Sequence, residues 1–175
     1  TLPETCREIG YDAFIDSGIQ EVTLLADKVL VGSGAFSGCS SFKTMNFDGV
    51  FTDVGAKAFA GTYVKNITLS PEMKVARVSG FASSSIGTVD FTHFEIIADS
   101  AFAHAAQSGT VDLTGVREIG FGAFADCTAL TAIALPPSLT AVAEYTFRGC
   151  TSLRGVALPE GLLSIGEWAF SGCTG

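Results

Sequence analysis

The groups in this chain that could do chemistry are few and scattered. It has two histidines, His93 and His104. The surrounding pattern puts each in or beside a turn, on different turns of the fold, where a surface or turn histidine is favoured over a catalytic one. Asp90 and Asp112 are 22 residues apart. If that interval is one structural period, the two carboxylates face each other across a parallel ladder at about 5 Å. Such a pair could split its pKa values, serve as acid and base, or hold a cation. Two solvated carboxylates on a polar sheet face is the favoured reading. Of the five cysteines, Cys127, Cys150 and Cys173 recur at 23-residue steps. Stacked at roughly 5 Å they are within Cα range of a disulfide, though parallel side-chain vectors disfavour the bond. A metal site needs ligands converging on one point, and these lie one per period along a line. No Ser/His/Asp or Cys/His set and no phosphate-cradling glycine loop emerges. The sequence therefore offers no catalytic, cofactor-binding or metal-ligating residue. Asn66-Ile67-Thr68 has the form of a glycosylation sequon, but falls mid-strand and is read as chance.

The framework for these residues is a repeat. Ala-Phe recurs at Phe14, Phe36, Phe59, Phe102, Phe124 and Phe170, with Gly80-Phe81 and Thr146-Phe147 filling the gaps. Successive steps are 22, 23, 22, 21, 22, 23 and 23 residues. A period in the 20–29 range marks a leucine-rich-repeat solenoid. Residues 1–175 read as a single array of about eight repeats. Solenoids need polar caps over their end repeats. Neither end shows one, so the chain reads as a piece of a longer array.

Alignment on the Phe fixes the other columns. Three residues after it stand Ser17, Cys39, Thr62, Ser84, Ala105, Cys127, Cys150 and Cys173. A position that takes Cys, Ser, Thr or Ala selects small size, so the thiols read as structural. Next comes apolar-x-x-apolar-x-apolar, as in Leu130/Ile133/Leu135, whose alternation predicts one half-buried strand per repeat in a continuous parallel sheet. An Ile or Val five residues before every Phe except Phe81 is often followed by glycine (Gly10, Gly32, Gly55, Gly120, Gly166), predicting a tight corner at positive φ. The Phe itself is expected on a short helical or 3₁₀ turn, its ring stacked on the rings above and below. Two repeats depart from the pattern. Ala76 fills an apolar position before Phe81, and Ser108 falls where the first strand residue after Phe102 should be apolar. The latter rung is expected to pack most loosely.

Bulk properties exclude other classes. The chain is 47% hydrophobic and 16% charged, with a net charge of −8. Its apolar residues are periodic, with no run long enough to span a membrane, so direct membrane insertion of this segment is not expected. Ten basic residues without a cluster give no footprint for nucleic acid.

The composite Ile-Gly-x-x-Ala-Phe-x-x-Cys-x-x-Leu-x-x-Ile-x-Leu-Pro, seen most fully from Ile119 to Pro136 and again from Val142 to Pro159, resembles the BspA-like (Treponema pallidum type) leucine-rich repeats. The resemblance covers essentially the whole chain. It implies a curved right-handed β-rich superhelix with one strand per repeat on the concave face. It also implies a surface-exposed or secreted protein that adheres to host or matrix proteins or to other cell-surface proteins, with no catalytic residues and no cofactor.

On that frame the exposed strand columns form the candidate partner-binding face: Thr23, Thr44, Asn46, Asn66, Thr68, Thr88, Asp90, Thr110 and Asp112. The columns become small and apolar towards Ala134 and Ala157 and carry no aromatic or arginine anchor. The expected function is a non-catalytic protein-binding or adhesion module at the cell surface. The alternative is an intracellular scaffold or assembly component on the same solenoid.

Overall fold

The computed structural model describes residues 1–65, 67–86 and 89–175. The chain is a parallel β solenoid of about seven turns with about 22 residues per turn. Eight phenylalanines form one continuous stack through its interior. Ring centroids from Phe14 through Phe36, Phe59, Phe81, Phe102, Phe124 and Phe147 to Phe170 are 5.1–6.1 Å apart and within 19° of parallel. The six inner rings have no exposed surface. Each buried aromatic removes on the order of 150–250 Å² from water, so this column dominates the core.

Thirteen short strands are assigned among the described residues, in two columns. One holds β1 (Glu8–Ile9), β3 (Lys28–Val31), β5 (Val50–Val54), β6 (Val75–Ala76), β7 (Ile96–Ile97), β9 (Glu118–Ile119), β11 (Ala141–Val142) and β13 (Ser164–Ile165). The other is the predicted strand face, with β2 (Glu21–Thr23), β4 (Thr44–Asn46), β8 (Gly109–Asp112), β10 (Leu130–Ala134) and β12 (Val156–Ala157). All pairings are parallel, as in Ile96↔Glu118 and Ile133↔Val156. The sequence predicted one strand per repeat. The structure adds a second, of which the Ile/Val column before the Phe supplies the buried residue in β1, β3, β5, β7, β9 and β11.

The strand face is not continuous. β2 pairs with β4, and β8, β10 and β12 pair together, with no strand of this column between β4 and β8 among the described residues. There Leu69 bridges to Phe51. The Phe51 N–H donates to the Thr68 carbonyl and the Ser70 N–H to that of Phe51, both at 2.9 Å. This rung thus directs its ladder bonds to the start of β5.

The Phe segments correct another expectation. They are chains of tight turns, with no helix or 3₁₀ helix assigned among the described residues. In every rung the residues two before and two after the Phe have φ between 50° and 79°, Asp12 and Asp16 around Phe14 for example. A helix of L-residues cannot contain such reversals. They turn alternate N–H groups outward along the solenoid axis. Those of Asp12, Phe14 and Asp16 donate to the carbonyls of Ser33, Ala35 and Ser37 on the next rung. Those of Ala13, Ile15 and Ser17 close turns within their own rung. Every backbone donor of the segment is thereby used, as burial requires.

The glycines after the Ile/Val column are not at positive φ. A side chain at Gly55 would place its Cβ 2.3 Å from the Ser33 amide nitrogen. The residue is small because two rungs approach closely there, not because the backbone reverses. Ala76 is fully buried in β6 and paired with Ile97, which settles the register before Phe81. After Phe102 the apolar place is filled by buried Gln107, whose amide donates to the Ile86 carbonyl at 3.5 Å. Gly109 at φ 78° and a bulge between Leu130 and Ala132 absorb the one-residue slip. Val111 and Leu113 are consequently buried like their counterparts, so this rung does not pack loosely at its strand.

Candidate functional site

The strand face presents short polar side chains in register. Glu21 pairs with Thr44 and Thr23 with Asn46. The Asn46 amide donates to the Glu21 carboxylate and, at 3.4 Å, to the Thr23 hydroxyl. Thr44, Asn46, Thr68, Asp90, Thr110 and Asp112 are exposed and Thr23 is half-buried. Asn66, with its sequon, and Thr88 lie outside the described residues. Toward the end of the face Asp112 gives way to Ala134 and Ala157 in the same row.

Asp90 and Asp112 do not form an acid–base pair. Each folds back on the turn leaving its own strand segment. Asp90 Oδ1 accepts from the Thr92 N–H at 3.0 Å and its hydroxyl at 2.6 Å. Asp112 Oδ1 does the same with Thr114, at 2.9 and 2.7 Å. These hydrogen bonds hold both carboxyls below the ordinary aspartate value, and repulsion from Asp90 opposes this only weakly at Asp112. The less favoured alternative, a split pair with one group raised, does not arise, because each carboxylate is stabilised locally before it meets the other.

Where the strand face parts, a cleft of about 340 Å³ is lined by Ile67, Thr68, Leu69, Pro71, Val89, Asp90 and His93. His93 sits in the expected turn, but its ring is buried rather than at the surface. It packs 4.5 Å from Phe94, its side chain is 10% exposed, and Nε2 has no hydrogen-bond partner among the described residues. Burial pushes its pKa down, against the pull of Asp90, whose Oδ2 lies 4.0 Å from Nδ1. The imidazole is held toward its neutral form and packs against Phe94. His104 is exposed beside the Phe102 turn and lies 3.7 Å from Asp126.

The cysteine column is a hydrogen-bonding column. The thiols of Cys39, Cys127, Cys150 and Cys173 donate to the carbonyls of Phe14, Phe102, Phe124 and Phe147, at 2.8–3.2 Å. Thr62 and Ser84 fill the same position and donate to the Phe carbonyl of their own rung. All five cysteines are free. Desolvation pushes the Cys127 thiol far up and that of Cys150 up to about 12, so neither supplies a thiolate near neutral pH. Among the described residues no group of three or more His, Cys, Asp or Glu is placed to hold a metal ion. Among the described residues no helix is long and apolar enough to cross a membrane.

One surface was missed in the sequence. Around the last three Phe turns, Phe121, Tyr145 and Trp168 stand on consecutive rungs. Phe121 is 47% and Trp168 59% exposed. They occupy the positions three or two before the Phe. Aligning those outward columns as carefully as the inward ones would have shown them.

Residues 1–108 and 95–175 match the BspA-type leucine-rich-repeat region, in six copies. The chain is similar to the crystal structure of a leucine-rich-repeat protein of T. pallidum, with 24% identity and a TM-score of 0.59, over 99% of this chain and 75% of that one. It is also similar to the pneumococcal vaccine antigen PcpA, with 20% identity and a TM-score of 0.58, over 95% of this chain and 51% of the other. No curated protein sequence matches the chain.

Proposed function

The chain belongs to the BspA-type leucine-rich-repeat family, and we propose that it is a non-catalytic adhesion module of a cell-surface or secreted protein. The observation that carries this is the contrast between columns. Inward positions repeat rung after rung, whereas the outward strand positions change from Glu21 and Thr23 to Asp112, Ala134 and Ala157. A periodic core under a varied surface gives a rigid platform for an extended partner, as solenoids generally provide. The nine residues that the sequence pattern assigns to the outward strand columns, Thr23, Thr44, Asn46, Asn66, Thr68, Thr88, Asp90, Thr110 and Asp112, are the proposed contact set. The partner is a host or matrix protein, or another cell-surface protein. One fold relative is a vaccine antigen, in keeping with a surface position. The test is to locate the complete protein in its cell and to measure its binding to matrix and host-cell proteins. Saturable binding weakened by substitutions at Asn46, Asp90 and Asp112 supports the reading. A cytoplasmic location with no such binding overturns it in favour of an internal scaffold.

A further inference from the structure

We propose that the turn edge formed by Phe121, Tyr145 and Trp168 is a second contact surface, one that takes an arginine or lysine side chain from a protein partner. Exposed aromatics on adjoining rungs are costly to solubility and mark interaction sites. Here the surroundings specify the partner's chemistry. Phe121 and Tyr145 pack together, with centroids 5.1 Å apart. The Arg148 guanidinium lies over the Tyr145 ring, 5.8 Å from its centroid. The edge therefore already holds one cation on an aromatic face, supplied by its own chain.

The repeat shows where a second would go. Tyr145 and Arg148 stand two before and one after Phe147, and the same places around Phe170 hold Trp168 and Ser171. Trp is the strongest cation–π acceptor among the side chains, and serine is too short to cover it as Arg148 covers Tyr145. The Phe121–Tyr145 contact shows that position three-before on one rung adjoins position two-before on the next. One step along, that pairing is Glu144 with Trp168. Glu144 and Glu167 are both exposed and the exposed Asp99 accepts from the Phe121 N–H at 2.9 Å, so carboxylates outnumber the single Arg148 along the aromatic row. This balance favours a cation over an anion or a neutral group. Among the earlier rungs only the first has an aromatic in these columns, the exposed Tyr11 of Tyr11-Asp12, and it has no aromatic on the next rung, since the columns continue as Ser33-Gly34, Ala56-Lys57, Val78-Ser79 and Asp99-Ser100.

The proposal rests on the reading of the array as a protein-binding module, and its test separates the two. Trp168 is the only tryptophan, so its emission reports the edge directly. The chain is titrated with an arginine-containing peptide and with the same peptide bearing neutral citrulline. A saturable change with arginine and none with citrulline is expected. By calorimetry, Trp168→Leu should weaken binding roughly threefold to tenfold and Trp168→Phe less. Glu144→Gln with Glu167→Gln should weaken it, and Arg148→Ala, which uncovers Tyr145 and removes a like charge, should strengthen it. Equal response to citrulline, no effect of Trp168→Leu, or a response to neutral maltohexaose with the arginine peptide silent overturns the proposal. Loss of peptide binding through Asp90→Asn and Asp112→Asn alone also overturns it, and leaves the strand-face reading standing. Peptide held at the edge by a protein that binds no host or matrix protein overturns the adhesion reading instead.

Discussion

The ring of Phe59 lies 6.1 Å from that of Phe81, the widest step in the phenylalanine stack, while Phe81 and Phe102 are 5.1 Å apart. The wide step falls where the strand face loses its ladder. Phe102, by contrast, packs against four rings: Phe81, Phe91, Phe94 and Phe124. Truncating a buried Phe to Ala costs about 3–5 kcal/mol. Phe102→Ala should lie at the top of that range and Phe81→Ala lower. Phe14→Ala, at a half-buried end of the stack, should fall below it. Urea unfolding of the three variants gives the order. Equal losses at Phe14 and Phe102 would show that the stack does not carry the core.

The two kinds of glycine predict different penalties. Gly61 has φ 71° but open space around its Cβ position, the nearest atom being 3.8 Å away. Gly61→Ala should therefore cost only the left-handed strain, about 1–2 kcal/mol. Gly55→Ala sets a Cβ 2.3 Å from backbone of the neighbouring rung, so the rungs must part and the loss should be larger. Lys57 holds φ 58° with a side chain, and Lys57→Gly should be neutral or stabilising by up to about 1 kcal/mol. Thermal unfolding of the three variants tests the order. A larger loss at Gly61 than at Gly55 would contradict it.

What the sequence made legible is what burial repeats. The Phe stack and the small-residue column were both readable because a buried position restricts residue type in every rung. The two reversals per Phe turn were not, since they are set by backbone bonds between rungs and tolerate Asp12, Lys57, His104, Tyr145 and Trp168 alike. The second strand column escaped notice because most of its strands are two residues long, too short for alternation to show. The slip that substitutes Gln107 for Ser108 required seeing an amide satisfied inside the core. Of the candidate site, Thr44, Asn46, Thr68, Asp90, Thr110 and Asp112 are exposed and Thr23 is half-buried. The folding back of the exposed Asp90 and Asp112 onto Thr92 and Thr114 depends on local geometry that spacing alone does not encode.

The thiols should divide by burial. Cys39, Cys127 and Cys150 are buried, whereas Cys6 and Cys173 are partly exposed. Reaction requires thiolate and access together. Iodoacetamide at pH 8 should label at most two of the five free thiols in the folded chain and all five in urea, counted by mass. Rapid native labelling of Cys127 or Cys150 would show that the column opens.

Acid should destabilise the fold in two stages. Burial lowers the His93 pKa in the folded chain, so below the unfolded value of about 6.5 the unfolded chain takes up a proton that the folded chain resists. Stability is therefore full above that value, falls as pH drops through it, and levels off once the folded imidazole is also protonated. Asp90 and Asp112 have lowered values as well, chiefly from their Thr92 and Thr114 hydrogen bonds. Their contribution is present above the unfolded carboxylate value of about 3.9 and is lost as pH falls through and below it. Urea midpoints from pH 8 to pH 3 should show a first decline that His93→Gln removes and a second that Thr92→Val and Thr114→Val diminish. A flat midpoint between pH 7 and pH 5 in the native chain would mean that the His93 ring opens to solvent without cost.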